Sequence, residues 1–161
     1  MNILIKGANK DNFKELIMFR LLLLEYSFQI DSTISYNAEK MKKSVYYMKQ
    51  YLKNKNNKYF IAYYNSVPVG YLHVTYDDKK NKLTSYLSEL YVFDLYRKLG
   101  IGKKLVLFQL KYLKKIKITR NKLTTTKYKN KRVINFYKKL GYILTKEDKK
   151  ENTIYLSKKI S

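Results

Sequence analysis

The 161 residues suffice for one domain (1–161) with a single buried core and are too few for two. Hydrophobic residues make up 45% and cysteine is absent, which excludes a disordered chain, a disulfide framework, a thiolate zinc site and a cysteine nucleophile. The formal charge of +23 invites a nucleic-acid or acidic-partner reading, but only four of the 35 basic residues are arginine and the lysines are scattered, which points to compositional drift. The opening residues lack a hydrophobic stretch of signal-peptide length, and the densest apolar run, Leu16 to Leu24, is broken by Arg20. A cytoplasmic protein without membrane attachment is therefore expected.

Asn2 to Lys6 alternates around Ile3 and Ile5 as a first strand should. Asn9 to Asn12 offers helix-starting side chains, with Glu15 three residues after Asn12, and the apolar series Phe13, Leu16, Ile17, Leu21, Leu24 predicts a helix to about Phe28. A second helix starts near Asn37 and carries a stripe of Met41, Val45, Met48 and Leu52. The period then shortens to two. Tyr59 to Tyr63, a turn at Asn65-Ser66, Val69 to Tyr76 after Pro68, a polar turn over Asp77 to Lys82, and Leu83 to Val92 form an antiparallel meander. Gly100 and Gly102 introduce a helix from Lys103 to about Lys117, with Leu105, Phe108, Tyr112, Leu113 and Ile116 inward. A strand at Lys122 to Thr126 follows. The short helix Asn130 to Leu140 turns Val133, Ile134, Tyr137 and Leu140 inward and is capped by Gly141. Tyr142 to Thr145 and Thr153 to Leu156 close the chain as strands. The order βααβββαβαββ predicts an α/β (α+β) fold. Its central sheet is mixed and mostly antiparallel, with helices on both faces and a parallel crossover around Gly100.

Two segments carry chemistry. Arg97-Lys98-Leu99-Gly100-Ile101-Gly102 joins a strand to a helix. Its glycines allow close backbone approach, and the first helical turn points unpaired amides and a favourable dipole at an anion. A diphosphate is the natural guest, with Arg97 as a charge partner. The segment is neither a Walker loop nor the three-glycine dinucleotide fingerprint. In the second segment, Asn130 to Tyr142, spacings of four set Val133, Tyr137 and Gly141 along one side of a helix.

In combination, Leu90-Tyr91-Val92 ahead of Arg97-x-x-Gly-x-Gly, and Asn130-x-x-Val133-x-x-x-Tyr137-x-x-x-Gly141-Tyr142 one helix and one strand later, resemble the GNAT superfamily of N-acetyltransferases. The resemblance spans the whole element order and is specific over Leu87 to Leu107 and Asn130 to Tyr142. It implies an acyl-CoA N-acyltransferase fold and acetyl-CoA as co-substrate, with no metal. The acceptor implied is a primary amine, on a small molecule or a protein, attacking directly. Tyr91, Val92 and Phe93 would line the pantetheine arm, and a backbone amide near Val92 would stabilise developing oxyanion charge. The amides of Lys98, Leu99, Gly100, Ile101 and Gly102, with Arg97, would hold the pyrophosphate. Asn130 would contact the cofactor beyond the thioester, and Tyr137 would be the general acid for the departing thiolate.

Glu89, the only carboxylate of its strand, is the candidate general base, with a water relay as the alternative. The later strand has no glutamate, and Thr125 is its nearest match. Asp94, Leu99 and Val133 depart from common family residues without removing a functional atom. His73, the only histidine, is expected to be a packed or exposed strand residue. No specific nucleic acid is expected as a partner, and a homodimer is allowed. The rival reading is a basic nucleic-acid- or acidic-partner-binding module with a vestigial cleft, which would bind with steep salt dependence.

Overall fold

A computed structural model describes residues 2–30, 37–76, 83–126 and 130–160. The elements are β1 (Ile3–Ala8), α1 (Phe13–Ile30), α2 (Ala38–Lys53), β2 (Asn57–Tyr64), β3 (Val67–Tyr76), β4 (Thr84–Val92), α3 (Ile101–Lys115), β5 (Arg120–Thr126), α4 (Lys131–Lys139), β6 (Ile143–Asp148) and β7 (Thr153–Lys159). Their order is the one expected. The turn assigned to Asp77–Lys82 lies outside the described residues.

Local chemistry explains most boundaries. Asn37 caps α2 through its side chain, which accepts from the Lys40 amide. The capping box before α1 is Asn9 with Asn12, one turn earlier than the Asn12–Glu15 pair, because a single 3₁₀ turn (Lys10–Asn12) precedes the helix. Asn65 and Ser66 both have positive φ, 47° and 69°, which fits a two-residue hairpin matched to strand twist. Pro68 sits inside β3, opposite Tyr63 beside a register shift, where its missing amide does not interrupt the ladder. Gly141 has φ 84° and ends α4 as the left-handed cap.

The strands form one sheet in the order β1-β2-β3-β4-β5-β7-β6, with only the β4–β5 pair parallel. The α3 crossover requires that pairing. Each face of the sheet carries its own core. On one, α3 and α4 bring Leu105, Val106, Leu113 and Tyr137 onto Phe60, Leu72, Val74 and Leu87. On the other, α1 and α2 bring Leu16, Phe19 and Met48 onto Tyr59, Ile61, Tyr71 and Tyr91. Leu16 and Phe19 are fully buried, so truncating either to alanine costs about 2–5 kcal/mol. Phe108 departs from its inward assignment. It is 38% exposed and touches Phe60 edge-on, while Val106, Gln109 and Leu110 take the buried positions.

Candidate active site

The site begins where β4 and β5 part. Their parallel pairing covers only Thr84, Ser85 and Tyr86 against Arg120, Asn121 and Lys122. A buried chain of side chains closes that end: Tyr142 donates to Asn121, whose amide donates to Ser85 Oγ at 2.9 Å, and Ser85 donates to the Arg120 carbonyl at 3.3 Å. Past Tyr86 the strands separate. The Phe93 amide bonds the Val69 carbonyl at 3.0 Å. Antiparallel alternation from that bond turns the backbone groups of Leu90 and Val92 away from β3, toward the gap.

At the mouth of the gap, Gly100 (φ 78°) is the N-cap of α3, with no side-chain cap and no acidic residue in the first turn. Lys98 also has positive φ, 65°. The Lys104 amide is the first to reach back to Gly100 O, so the amides of Ile101, Gly102 and Lys103 remain to receive an anion. A cavity of about 510 Å³ joins this turn to α1, β4 and α4. Of the expected cofactor residues, Tyr91, Val92, Arg97, Lys98, Gly100, Ile101 and Gly102 line it.

The remaining three are elsewhere. Phe93 packs against Phe19 and Tyr91. Leu99 points outward, 40% exposed. Asn130 donates to Thr125 Oγ1 (3.0 Å) and Thr126 Oγ1 (3.2 Å), tying α4 to the end of β5 on the far side of the gap. Arg97 folds back on the strand. Its Nε donates to the Val92 carbonyl at 3.0 Å, its Nη2 pairs with Asp94 at 2.6 Å, and its Cζ lies 4.7 Å from the Tyr26 ring centre. Asp94, the departure from the family pattern, thus has a structural partner.

A second cavity, about 340 Å³, opens beyond Leu90 and shares Leu23, Tyr26, Leu90, Val133 and Tyr137 with the first. Tyr137 therefore stands between the two. Its hydroxyl has no hydrogen-bond partner among the described residues, and burial pushes its pKa well up, so it stays protonated through neutral pH. Glu89, Thr125 and Asn130 line the second cavity. Glu89, 11% exposed at its side chain, accepts from Arg20 Nη1 and from the Tyr71 hydroxyl. Burial, then the Glu89 charge, raises the Tyr71 pKa and keeps that phenol a donor. His73 is packed, as one of the two expected alternatives. It is stacked 4.1 Å from Tyr59 with Nε2 2.8 Å from Asn57 Oδ1, and burial, then Arg20, lowers its pKa to about 3.

Sequence reasoning missed Arg20, Tyr71, Tyr26 and Gly70. Arg20 had a signal: a lone cation within an apolar helical run needs a carboxylate partner. Gly70 had none. A Cβ there would meet the Tyr91 carbonyl at 2.8 Å, so this glycine sets how closely β3 and β4 approach beside the gap.

The acetyltransferase (GNAT) family pattern matches residues 21–142. No curated protein matches the chain. Among solved structures, PaiA N-acetyltransferase from Thermoplasma acidophilum, in complex with coenzyme A, has TM-score 0.75 and 21% identity over 99% of each chain. A GNAT-family acetyltransferase from Staphylococcus aureus has TM-score 0.77 and 22% identity over 99% of this chain and 100% of its own. An Arabidopsis thaliana protein, in complex with the bisubstrate analogue CoA-Ac-MVNAL, has TM-score 0.68 and 22% identity over 98% of this chain and 99% of its own. Their likeness is one of fold; the match over 21–142, across β4, the α3 turn and α4, makes this chain a member of the GNAT acetyltransferase family.

Proposed function

We propose that residues 1–161 act as one cytoplasmic N-acetyltransferase domain that moves the acetyl group of acetyl-CoA to a primary amine by direct attack. The observation that carries this is the continuous opening from the uncapped N-terminus of α3, along the separated edge of β4, to the hydroxyl of Tyr137. The residues present fit the co-substrate. Unpaired amides with no acid in the first turn of α3 suit a pyrophosphate, and the outward backbone of Leu90 and Val92 suits an amide-bearing arm laid beside the strand.

When bound, acetyl-CoA supplies an activated thioester. The chain's residues do the rest. The Leu90–Val92 edge positions the acetyl carbon, with the Val92 amide directed at its oxygen. A carbon–nitrogen bond forms as the carbon–sulfur bond breaks. Tyr137 gives a proton or hydrogen bond to sulfur, which matters because a free thiol has a pKa of about 8.5. The acceptor's ammonium first loses one proton toward Glu89, directly or through water, so that the neutral amine attacks, and the second N–H proton, shed as the amide forms, replaces the one Tyr137 gives to sulfur. Each Glu89 oxygen already accepts one hydrogen bond, which leaves a lone pair on each for that purpose.

Thermal unfolding with acetyl-CoA, followed by a thiol-release assay over a panel of amines, tests the reading. A ligand at 100 times its Kd adds about 2.7 kcal/mol, a rise of roughly 5–10 °C for a chain of this size. No rise at saturation would refute the proposal.

A further inference from the structure

A third cavity, about 240 Å³, continues from the second between α1, α2 and β2, and shares Arg20, Leu24 and Glu89 with it. Its polar lining is one-sided. The exposed Lys40, Lys43, Tyr47 and Tyr51 stand at the rim, the buried Ser44 and Tyr59 lie further in, and Arg20 is shared with the second cavity. All can donate. Among the described lining residues the single carboxylate is Glu89, which is already held by Arg20 and Tyr71. Counting Arg20, Lys40 and Lys43 against Glu89 leaves an excess of two positive charges on the wall.

Several donors are unspent among the described residues. The Tyr59 hydroxyl is buried without a partner in a side chain only 2% exposed. Ser44 and Tyr51 make no side-chain hydrogen bond, and Lys40 makes no ion pair. Lys43 pairs with Glu39 at 2.6 Å, but both groups are largely exposed and the pair adds little. An unsatisfied buried hydroxyl in a donor-rich, positively charged hollow calls for a guest that is rich in acceptors and negative.

We infer that this hollow is an anion subsite, and that the acceptor is a small amine carrying a carboxylate or phosphate-type group. The amine lies beside Glu89 and Tyr137, and the anionic group is held by Lys40, Lys43, Ser44, Tyr59 and the free edge of Arg20. The inference rests on the transferase reading for the amine and on the third cavity alone for the anion. A polyamine is the wrong guest for such walls, because each added ammonium would meet like charge.

The test is calorimetric binding of β-alanine, 2-aminoethylphosphonate, propylamine and 1,3-diaminopropane to the full chain, with and without coenzyme A. The two anionic amines are expected to bind at least about tenfold tighter than propylamine, as befits hydrogen bonds to a charged group, and their ratio separates carboxylate from phosphate. Lys40→Gln/Lys43→Gln should erase that margin. Lys149→Gln/Lys150→Gln, which removes equal charge from an exposed turn, should keep it. Propylamine or the diamine binding as well as the anionic amines would overturn the subsite, and so would a margin that survives the first pair or disappears with the second. Absence of coenzyme A binding would instead sink the transferase reading, while the comparison on the protein alone still decides the subsite.

Discussion

Replacing Tyr137 by phenylalanine separates a chemical role for the hydroxyl from a packing role for the ring. The ring is packed on Phe136 and Tyr142, with centroids 5.0 and 5.5 Å away, and phenylalanine keeps both contacts. The hydroxyl has no partner among the described residues, so deleting it leaves no orphaned group behind. Stability should therefore change by less than about 0.5 kcal/mol, or roughly 1–2 °C in Tm. Acetyl-CoA affinity, which the proposed function assigns to the α3 turn and the β4 edge, should hold. Turnover should fall. General acids contribute about 10²–10⁴-fold, and a thiolate needs its proton less than an amine or alkoxide does, which sets the expectation at the bottom of that range, at about 100-fold. Because burial raises the Tyr137 pKa, the protonated form persists past the ordinary phenol range. Its loss should thus impose no falling limb on the wild-type rate below about pH 10. Thiol release at saturating substrates, a cofactor titration and a melt give all three quantities. A parallel fall in kcat and cofactor affinity, or a Tm lowered by several degrees, would refute the argument.

Gly102→Val should raise the KM for acetyl-CoA at least about tenfold with little loss of stability, because the added Cβ would lie an ordinary 3.6 Å from Phe136 while the branch fills the cradle. Titration of cofactor into the variant checks this, and unchanged affinity would remove Gly102 from the cradle. Gly70→Ala should destabilise by about 1–3 kcal/mol in urea unfolding, since β4 must retreat from a clash with its own carbonyl. His73, whose folded pKa of about 3 lies below the ordinary 6.5, contributes stability that is complete above pH 6.5 and is lost as pH falls toward 3. The urea midpoint of His73→Phe, compared with wild type from pH 7 to 4, should show a shallower acid slope; parallel slopes would place the acid limb elsewhere. Arg20→Met should cost about 1–3 kcal/mol and should cost less in a Glu89→Gln background, because what is lost is mainly a partner for a largely buried carboxylate. Additive losses would show that the two residues act independently.

Helices announced by caps were legible to within two residues at the start: Asn37 for α2 and the glycines before α3 act through backbone chemistry that a sequence displays directly. The turn with unpaired amides before α3 was legible for the same reason. Side chains whose meaning depends on a partner far along the chain were not. Arg20 and Glu89 are 69 residues apart, and nothing local reveals that α1 lies across β4. Phe93 was assigned to the cofactor by position within a motif, and its ring packs instead on Phe19 and Tyr91, a contact with a helix far along the chain that nothing local reveals. The expectation for Leu99 concerns its backbone amide, which its outward side chain leaves untouched.

The facing of Glu89 shows how one backbone irregularity organises the site. By strict alternation Leu87, Glu89 and Tyr91 share a face, which would put either the carboxylate among the α3 core residues or Leu87 in the polar cluster. The register with β3 avoids this: His73 opposes Glu89, Val74 opposes Leu87, and Ser88 is the extra residue of a bulge. Leu87 is thereby left in the core under α3, while Glu89 and Tyr91 turn to α1. The same bulge begins two residues after the last β4–β5 pair, at Tyr86 and Lys122. A bulged strand bends and gains twist, so β4 leaves its parallel neighbour at the point where its side chains change faces. One inserted residue thus opens the edge that an amide-bearing arm can join and aims the strand's only carboxylate at the opposite cavity. A single strand can in this way present its backbone to one substrate and a side chain to the other, without a loop being needed to carry either.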